Sequence, residues 1–244
     1  MSGPTGHVAK GGIAKSAESA MRKWAMQLET QQRLSTEPQR EQIPHREVHP
    51  FLAVSRESGI GTEQLTRGLA AKLGWDVMDK DLLDYIEKTY DTPQGMLEYV
   101  DERTTSWLLE ALGKWFDPSM VTQSEYVRRL GRVVLMAAHT ASVIFVGRGA
   151  QFFLPRESGV SVKIIAPVEK RVQRVMARHG LDRSQAKRRM EQTDQSRRDF
   201  VQRYFQRDSN DPHLYDVVVN LDRFSVEDAT DIIADACHKR FPPT

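Results

Sequence analysis

Cysteine is nearly absent from this chain. One residue, Cys237, stands among 244, which excludes an internal disulfide framework and a cysteine-rich zinc site and fits a reducing compartment. Net charge is scarce too, since 35 Lys and Arg against 33 Asp and Glu leave a formal +2. Nucleic acid is therefore not expected as the main ligand, and any basic function must come from local clustering. No apolar run approaches the roughly 20 residues that a membrane-spanning helix needs. The N-terminal residues lack the apolar core of a secretion signal. No membrane partner is expected, and the cytoplasm is the expected location. His139, His179, His213 and His238 are not spaced with cysteines as metal ligands. No Gly-x-Ser-x-Gly nucleophile turn occurs. One further absence is local: a segment with the glycines of a phosphate-binding loop lacks the lysine.

What is there is an ordinary soluble composition, 39% hydrophobic and 28% charged, on a length that can bury one substantial core. Residues 1–14 are rich in Gly, Ser, Thr and Lys and are expected to be disordered. Residues 16–34 could form a helix, with Ala20, Trp24, Met26, Leu28 and Leu34 as an imperfect apolar stripe. Residues 35–50 hold three prolines and read as a linker. This head, residues 1–50, is a solvated extension, a helix packed on the body, or a surface for a protein partner or self-association.

From Phe51 onward strands and helices alternate. Residues 51–54, 75–78, 142–146, 160–166 and 215–220 read as strands. Leu65, Leu69 and Leu73 mark a helix face after the first strand, and Gly74 ends it. Helices follow at 81–90 and about 124–139, and residues 92–115 suggest one or two helices outside the sheet. Pro167 opens a helix that stops near Gly180. Asp182 with Gln185 has capping-box spacing and opens a stretch over 183–207. Ser225 with Asp228 caps a last helix whose apolar face is Ala229, Ile232, Ile233 and Ala236. Such alternation predicts a mostly parallel five-stranded sheet covered on both faces. Ligands of such sheets bind beyond the carboxyl ends of the strands. Ser55, Asp79, Gly147 and Arg148 fall at those ends and are expected around one cleft.

The segment Ser55-Arg56-Glu57-Ser58-Gly59-Ile60-Gly61-Thr62-Glu63 joins the first strand to its helix. A glycine turn and a helix N-terminus aim backbone N–H groups and the positive helix end at one spot, which favours an anion. The usual nucleotide loop closes with Gly-Lys-Ser/Thr, the lysine reaching the outer phosphates and the hydroxyl the magnesium. Here those positions read Thr62 and Glu63. A carboxylate near phosphate repels it unless neutralised, or unless it faces outward on the first helical turn. Ten arginines lie between Arg171 and Arg207, and Arg171, Arg174 and Arg178 share a helix face.

Val54-Ser55-Arg56-Glu57-Ser58-Gly59-Ile60-Gly61 before a Leu/Ala helix, Asp79-Lys80, Val146-Gly147-Arg148-Gly149-Ala150, and Tyr215-Asp216 with Asn220 come in a telling order and spacing. Together, over about residues 51–238, they resemble the cytidylate kinase-like family, a divergent relative of the P-loop nucleoside monophosphate kinases. The resemblance implies an α/β, P-loop NTPase-type three-layer fold over residues 51–244. It implies a helical acceptor-binding insert at about 91–125 and an arginine-rich helical lid at about 182–210. It also implies ATP and Mg2+ as cofactors, with the γ-phosphoryl group moved to a nucleoside monophosphate or similar phosphorylated acceptor.

Carried onto matching positions, it assigns Ser58, Gly59, Ile60, Gly61, Thr62 and Glu63 to donor phosphates. Asp79, Lys80 and Arg148 go to the acceptor side. The lid residues Arg188, Asp194, Arg197 and Arg198, with Arg148, would serve the transferring group. Arginines on a closing lid neutralise phosphate charge and exclude water. The plainer alternative for any one of them is an ion pair with Glu169, Glu191 or Asp199. Thr62 stands where the family's relatives keep lysine, and Gly149 stands where true cytidylate kinases keep the Asp of Gly-Arg-Asp. Two readings stay open. The chain is a phosphotransferase, or it is a catalytically impaired nucleotide-binding regulatory module. The arginine-rich lid favours the first, and Thr62, Glu63 and Gly149 favour the second.

Overall fold

The alternation within β1 (Phe51–Arg56) sets the layers. A computed structural model describes residues 5–34, 48–89 and 124–242, and in it every residue from Phe51 to Val54 is buried. Successive side chains of a strand point to opposite faces. Leu52 and Val54 pack with Leu65 and Leu69 of α2 (Thr62–Leu73) and with Ala229 and Ile233 of α7 (Val226–Arg240). Phe51 and Ala53 face the other way, toward α3 (Lys80–Thr89) and α4 (Glu125–Thr140). Phe51 meets Phe145 edge-on at 6.5 Å on that side. The result is three layers.

The remaining strands are β2 (Asp76–Asp79), β3 (Val143–Val146), β4 (Gly159–Ile165) and β5 (Val217–Asn220). Their order is β2-β3-β1-β4-β5 and every pairing is parallel. Burial on both faces explains why β3 and the first four residues of β1 appear in the sequence as unbroken apolar runs. It also puts the carboxyl ends of β1, β3 and β4 side by side.

Both expected capping boxes form. Asp182 accepts from the Gln185 amide and Ser225 from that of Asp228, and each N3 side chain reaches back to its cap. The face of α7 differs at two positions, and at one of them, Ala236, the side chain is only half-buried. Ile232 is 36% exposed, because the turn brings Thr230, Ala234 and Cys237 inward with Ala229 and Ile233. Burial pushes the Cys237 thiol up to about 12, so it is an inert packing residue.

The head departs further from expectation. α1 runs from Thr5 to Leu34, so the disorder expected over residues 1–14 gives way to helix from Thr5 onward. Ala17, Met21 and Trp24 lie on one helix face and are buried against α3 and α4, and Lys23 pairs with Asp76. An anchored helix extends at little cost, because nucleation is the costly step. Met26, expected in the stripe, is exposed. Most of the expected linker at 35–50 and of the expected insert at about 91–125 falls in residues 35–47 and 90–123, outside the described residues.

α5 (Val168–His179) and α6 (Arg183–Phe205) form the arginine-rich pair. Val172, Val175, Ala186 and Met190 give them a small core of their own. Phe205 ties the end of α6 to the body by stacking on Phe152 at 4.7 Å and meeting Phe153 edge-on at 5.2 Å. Among the described residues no helix is long and apolar enough to cross a membrane.

Candidate active site

The loop after β1 is held at its start by Glu57. Its amide donates to the Ile164 carbonyl at 3.1 Å, and its carboxylate accepts from the Ala166 amide at 2.9 Å. Gly59 and Gly61 then adopt φ of 83° and 84°, a left-handed conformation that a side chain disfavours. A Cβ on Gly59 would sit 2.7 Å from the Arg171 carbonyl oxygen. Glycine is thus required for the loop to press against α5. Gly61 serves as the N-cap of α2, so the positive end of that helix faces the loop.

The arginine stripe of α5 faces the same loop. Arg171 donates to the Ser58 carbonyl at 3.3 Å, Arg174 to the Ile60 carbonyl at 3.5 Å, and Arg178 pairs with Glu63. Glu63 is therefore turned outward, its carboxylate answered by an arginine rather than aimed at the loop. Of the exposed pairings expected for the arginines, that of Glu169 forms, with Arg183 at 2.7 Å, whereas Glu191 lies beside Lys187.

The loop already receives an anion, supplied by α6. The Ser58 amide donates to Asp194 Oδ1 at 2.7 Å, and Arg171 Nη1 donates to Asp194 Oδ2 at 2.6 Å. Asp194 and Arg171 are both buried. Arg197 lies across the other side, donating to the Arg56 carbonyl at 3.0 Å, with Asp194 Oδ1 3.5 Å away. A carboxylate bonded to a backbone N–H and to a guanidinium occupies the kind of place a phosphate oxygen takes.

The opposite wall is the turn Gly147-Arg148-Gly149. Arg148 has φ of 59°, a rare backbone state for a side chain other than glycine. Its guanidinium grips Asp84 with two nitrogens, Nε at 2.8 Å, and lies 4.9 Å over the Phe200 ring. Tyr126 Oη and Lys80 Nζ meet Asp84 at 3.0 and 3.1 Å. Burial pushes the Asp84 carboxyl up, but the hydrogen bonds and charge of Arg148, with those of Lys80, outweigh it and hold the group below its usual range. At neutral pH the carboxylate is ionised folded and unfolded alike, so the stabilisation is complete there and is lost as pH falls through the lowered folded value. The stability difference between the wild type and Asp84→Asn in urea titrations is expected to narrow below about pH 4. A difference that stays constant into acid would contradict the pairing.

Between these walls lies a cavity of about 340 Å³, lined by Ser55, Arg56, Glu57, Lys80, Arg148 and Lys163, and from α6 by Asp194, Arg197 and Arg198. Six of its side chains are cationic and two are carboxylates.

A model of the cytidylate kinase-like family matches residues 51–223. The chain belongs to this family. Among solved structures, an uncharacterized protein from Eubacterium ventriosum superposes with a TM-score of 0.61 at 24% identity, covering 78% of this chain and 99% of that one; it supports the fold alone. A shikimate kinase from Bacteroides thetaiotaomicron aligns with a TM-score of 0.41 at 14% identity, over 76% of this chain and 97% of the other. Among curated proteins, a uronate isomerase from Corynebacterium glutamicum is 26% identical over 124 residues, which is 51% of this chain. The chain spans 24% of the length of that curated relative.

Within this cytidylate kinase-like fold, Lys80, Arg148, Asp194, Arg197 and Arg198 meet around the cavity, and others expected with them do not. Ser58, Gly59, Ile60, Gly61, Thr62 and Glu63 lie outside its lining. Asp79 is exposed and caps α3, accepting from the Leu82 amide at 2.9 Å. Arg188 is exposed on α6 and faces away. No sequence motif marks Arg56, Asp84 or Lys163 as lining the site. Lys163 had a signal, as the lone cation within the apolar run 160–166. Its ammonium reaches the Ser209 carbonyl and the Asn210 side chain, and burial lowers its pKa.

Proposed function

We propose that this chain is a phosphotransferase that moves the γ-phosphoryl group of ATP to a nucleoside monophosphate or a similar phosphorylated acceptor. The observation that carries this reading is the excess of cations over carboxylates in one cavity at the carboxyl ends of β1, β3 and β4, roofed by α6. Phosphoryl transfer rests on positioning and on neutralising charge spread over phosphate oxygens, and arginine forks suit both tasks. The Ser58 amide, which donates to the carboxylate of Asp194, supports the reading that the loop suits an anionic oxygen. Among the described residues no cluster of three His, Cys, Asp or Glu is placed to hold a metal. When bound, ATP with Mg2+ would supply the phosphoryl group and part of the charge neutralisation. The residues named would bind and orient the phosphates and exclude water. The acceptor's own phosphate is the nucleophile, so no side chain has to attack.

A coupled assay of ATP turnover with CMP, dCMP, UMP and other phosphorylated acceptors tests this proposal. Turnover dependent on one acceptor is the expected result. A second reading, a nucleotide-binding module without catalysis, is favoured by Thr62 at the lysine position and by Asp194 on the loop amide. Thermal protection by ATP with no acceptor phosphorylated would support that module instead. If no nucleotide shifts thermal stability, both readings fail.

A further inference from the structure

Five of the six cavity cations are engaged by the protein itself. Arg148 and Lys80 are paired with Asp84. Lys163 is bound to Ser209 and Asn210, Arg198 to Gln195, and Arg197 to the Arg56 carbonyl and Asp194. Arg56 stands apart. Among the described residues its guanidinium makes no hydrogen bond or ion pair, and its buried Nε has no partner. The carboxylates of Asp79 and Asp81 act on it only through space, while Arg197 and Arg148 oppose its charge. Burial, the largest cause, lowers its pKa to about 10, which leaves it charged at neutral pH.

The fold makes room for this side chain. Gly147 has φ of 85°, and a Cβ there would collide with Arg56 Nη1. A guanidinium taken from water without a counter-charge is costly. Held at the floor of a cationic cavity, it is an unused five-donor fork, and a planar fork matches phosphate oxygens bidentately. Arg148, the residue that the family resemblance assigns to the acceptor phosphate, has spent its fork on Asp84.

We infer that Arg56 is the principal phosphate ligand of this cavity, gripping the dianionic phosphate of a phosphomonoester acceptor, and that Arg148 instead braces the wall through Asp84. This inference rests on the proposed function and names the residue that would hold its acceptor. Nothing in it requires the loop at 58–63 to bind the same phosphate.

The experiment is titration calorimetry at low salt on the full chain, with inorganic phosphate, CMP, UMP, AMP and, separately, ATP. Wild type is expected to bind at least one monophosphate. Arg56→Gln is expected to weaken that binding at least tenfold more than it weakens ATP binding. Arg56→Lys, which keeps the charge and loses the fork, should fall between them, and it serves alone if the glutamine variant does not fold. Arg56→Gln or Arg56→Lys binding monophosphate as wild type does would overturn the assignment. So would an equal or larger loss for ATP, which would move the residue to the donor side. If wild type binds ATP and no monophosphate, the inference fails while nucleotide binding stands. If it binds none of the probes, the proposed function fails as well.

Discussion

Replacing Arg171 with alanine is expected to destabilise the protein by about 3–5 kcal/mol, because it strands a buried carboxylate. The Arg171 side chain is 7% exposed and that of Asp194 11%. Arg171 donates to the Ala166 carbonyl at 3.0 Å, to the Ser58 carbonyl and to Asp194, and its Nε lies 3.3 Å from Glu57. One side chain therefore joins the end of β4, the loop and α6. Its removal leaves Asp194 with the Ser58 amide and a distant Arg197 as partners. Thermal unfolding should fall by roughly 10 °C for a chain of this size. The double variant Arg171→Met/Asp194→Leu should recover most of the loss, since apolar replacements need no pairing. A single-variant loss below about 1 kcal/mol, the range of exposed pairs, would mean that water reaches this pair.

Placing at position 149 the aspartate expected of true cytidylate kinases should harm the protein rather than sharpen its acceptor choice. Gly149 has φ of 66°, and a Cβ there would lie 2.6 Å from Phe205 Cε2 and 3.0 Å from Phe152 Cδ2. The left-handed backbone costs a non-glycine residue about 1–2 kcal/mol. Forcing a side chain into packed rings typically costs a further ~1–3 kcal/mol. Gly149→Asp is thus expected to lose roughly 2–5 kcal/mol in urea titrations, with no gain in discrimination between CMP and UMP. The penalty should shrink in a Phe205→Leu background, since residues in contact are coupled. An unchanged stability, with a new preference for cytidine, would refute the packing account.

The strands and caps were legible because their causes are local. Val143 to Val146 is apolar since both faces of β3 are covered, and Asp182 caps α6 through a residue three positions away. The site was legible only as a neighbourhood. Periodicity cannot reveal that Asp194 reaches the Ser58 amide across 136 positions. Nor can it say which of several arginines turns inward. Arg188 lies six residues before Asp194, roughly 240° around the helix, so it faces water. Asp79 sits at a strand end as expected, and its carboxylate is taken up by the start of α3. Arg56 went unnoticed beside the loop glycines, although it closes the same strand as Ser55.

The head helix carries a consequence for where this fold can be cut. The family match begins at Phe51, the residue that opens β1. The core begins earlier, because Ala17, Met21 and Trp24 shield the flank of α3 and α4. A fragment started at the family boundary would carry that flank bare, as an adhesive stripe that self-sticks until some other helix covers it. Kinship is drawn at Phe51, but burial of this flank begins as early as Ala17.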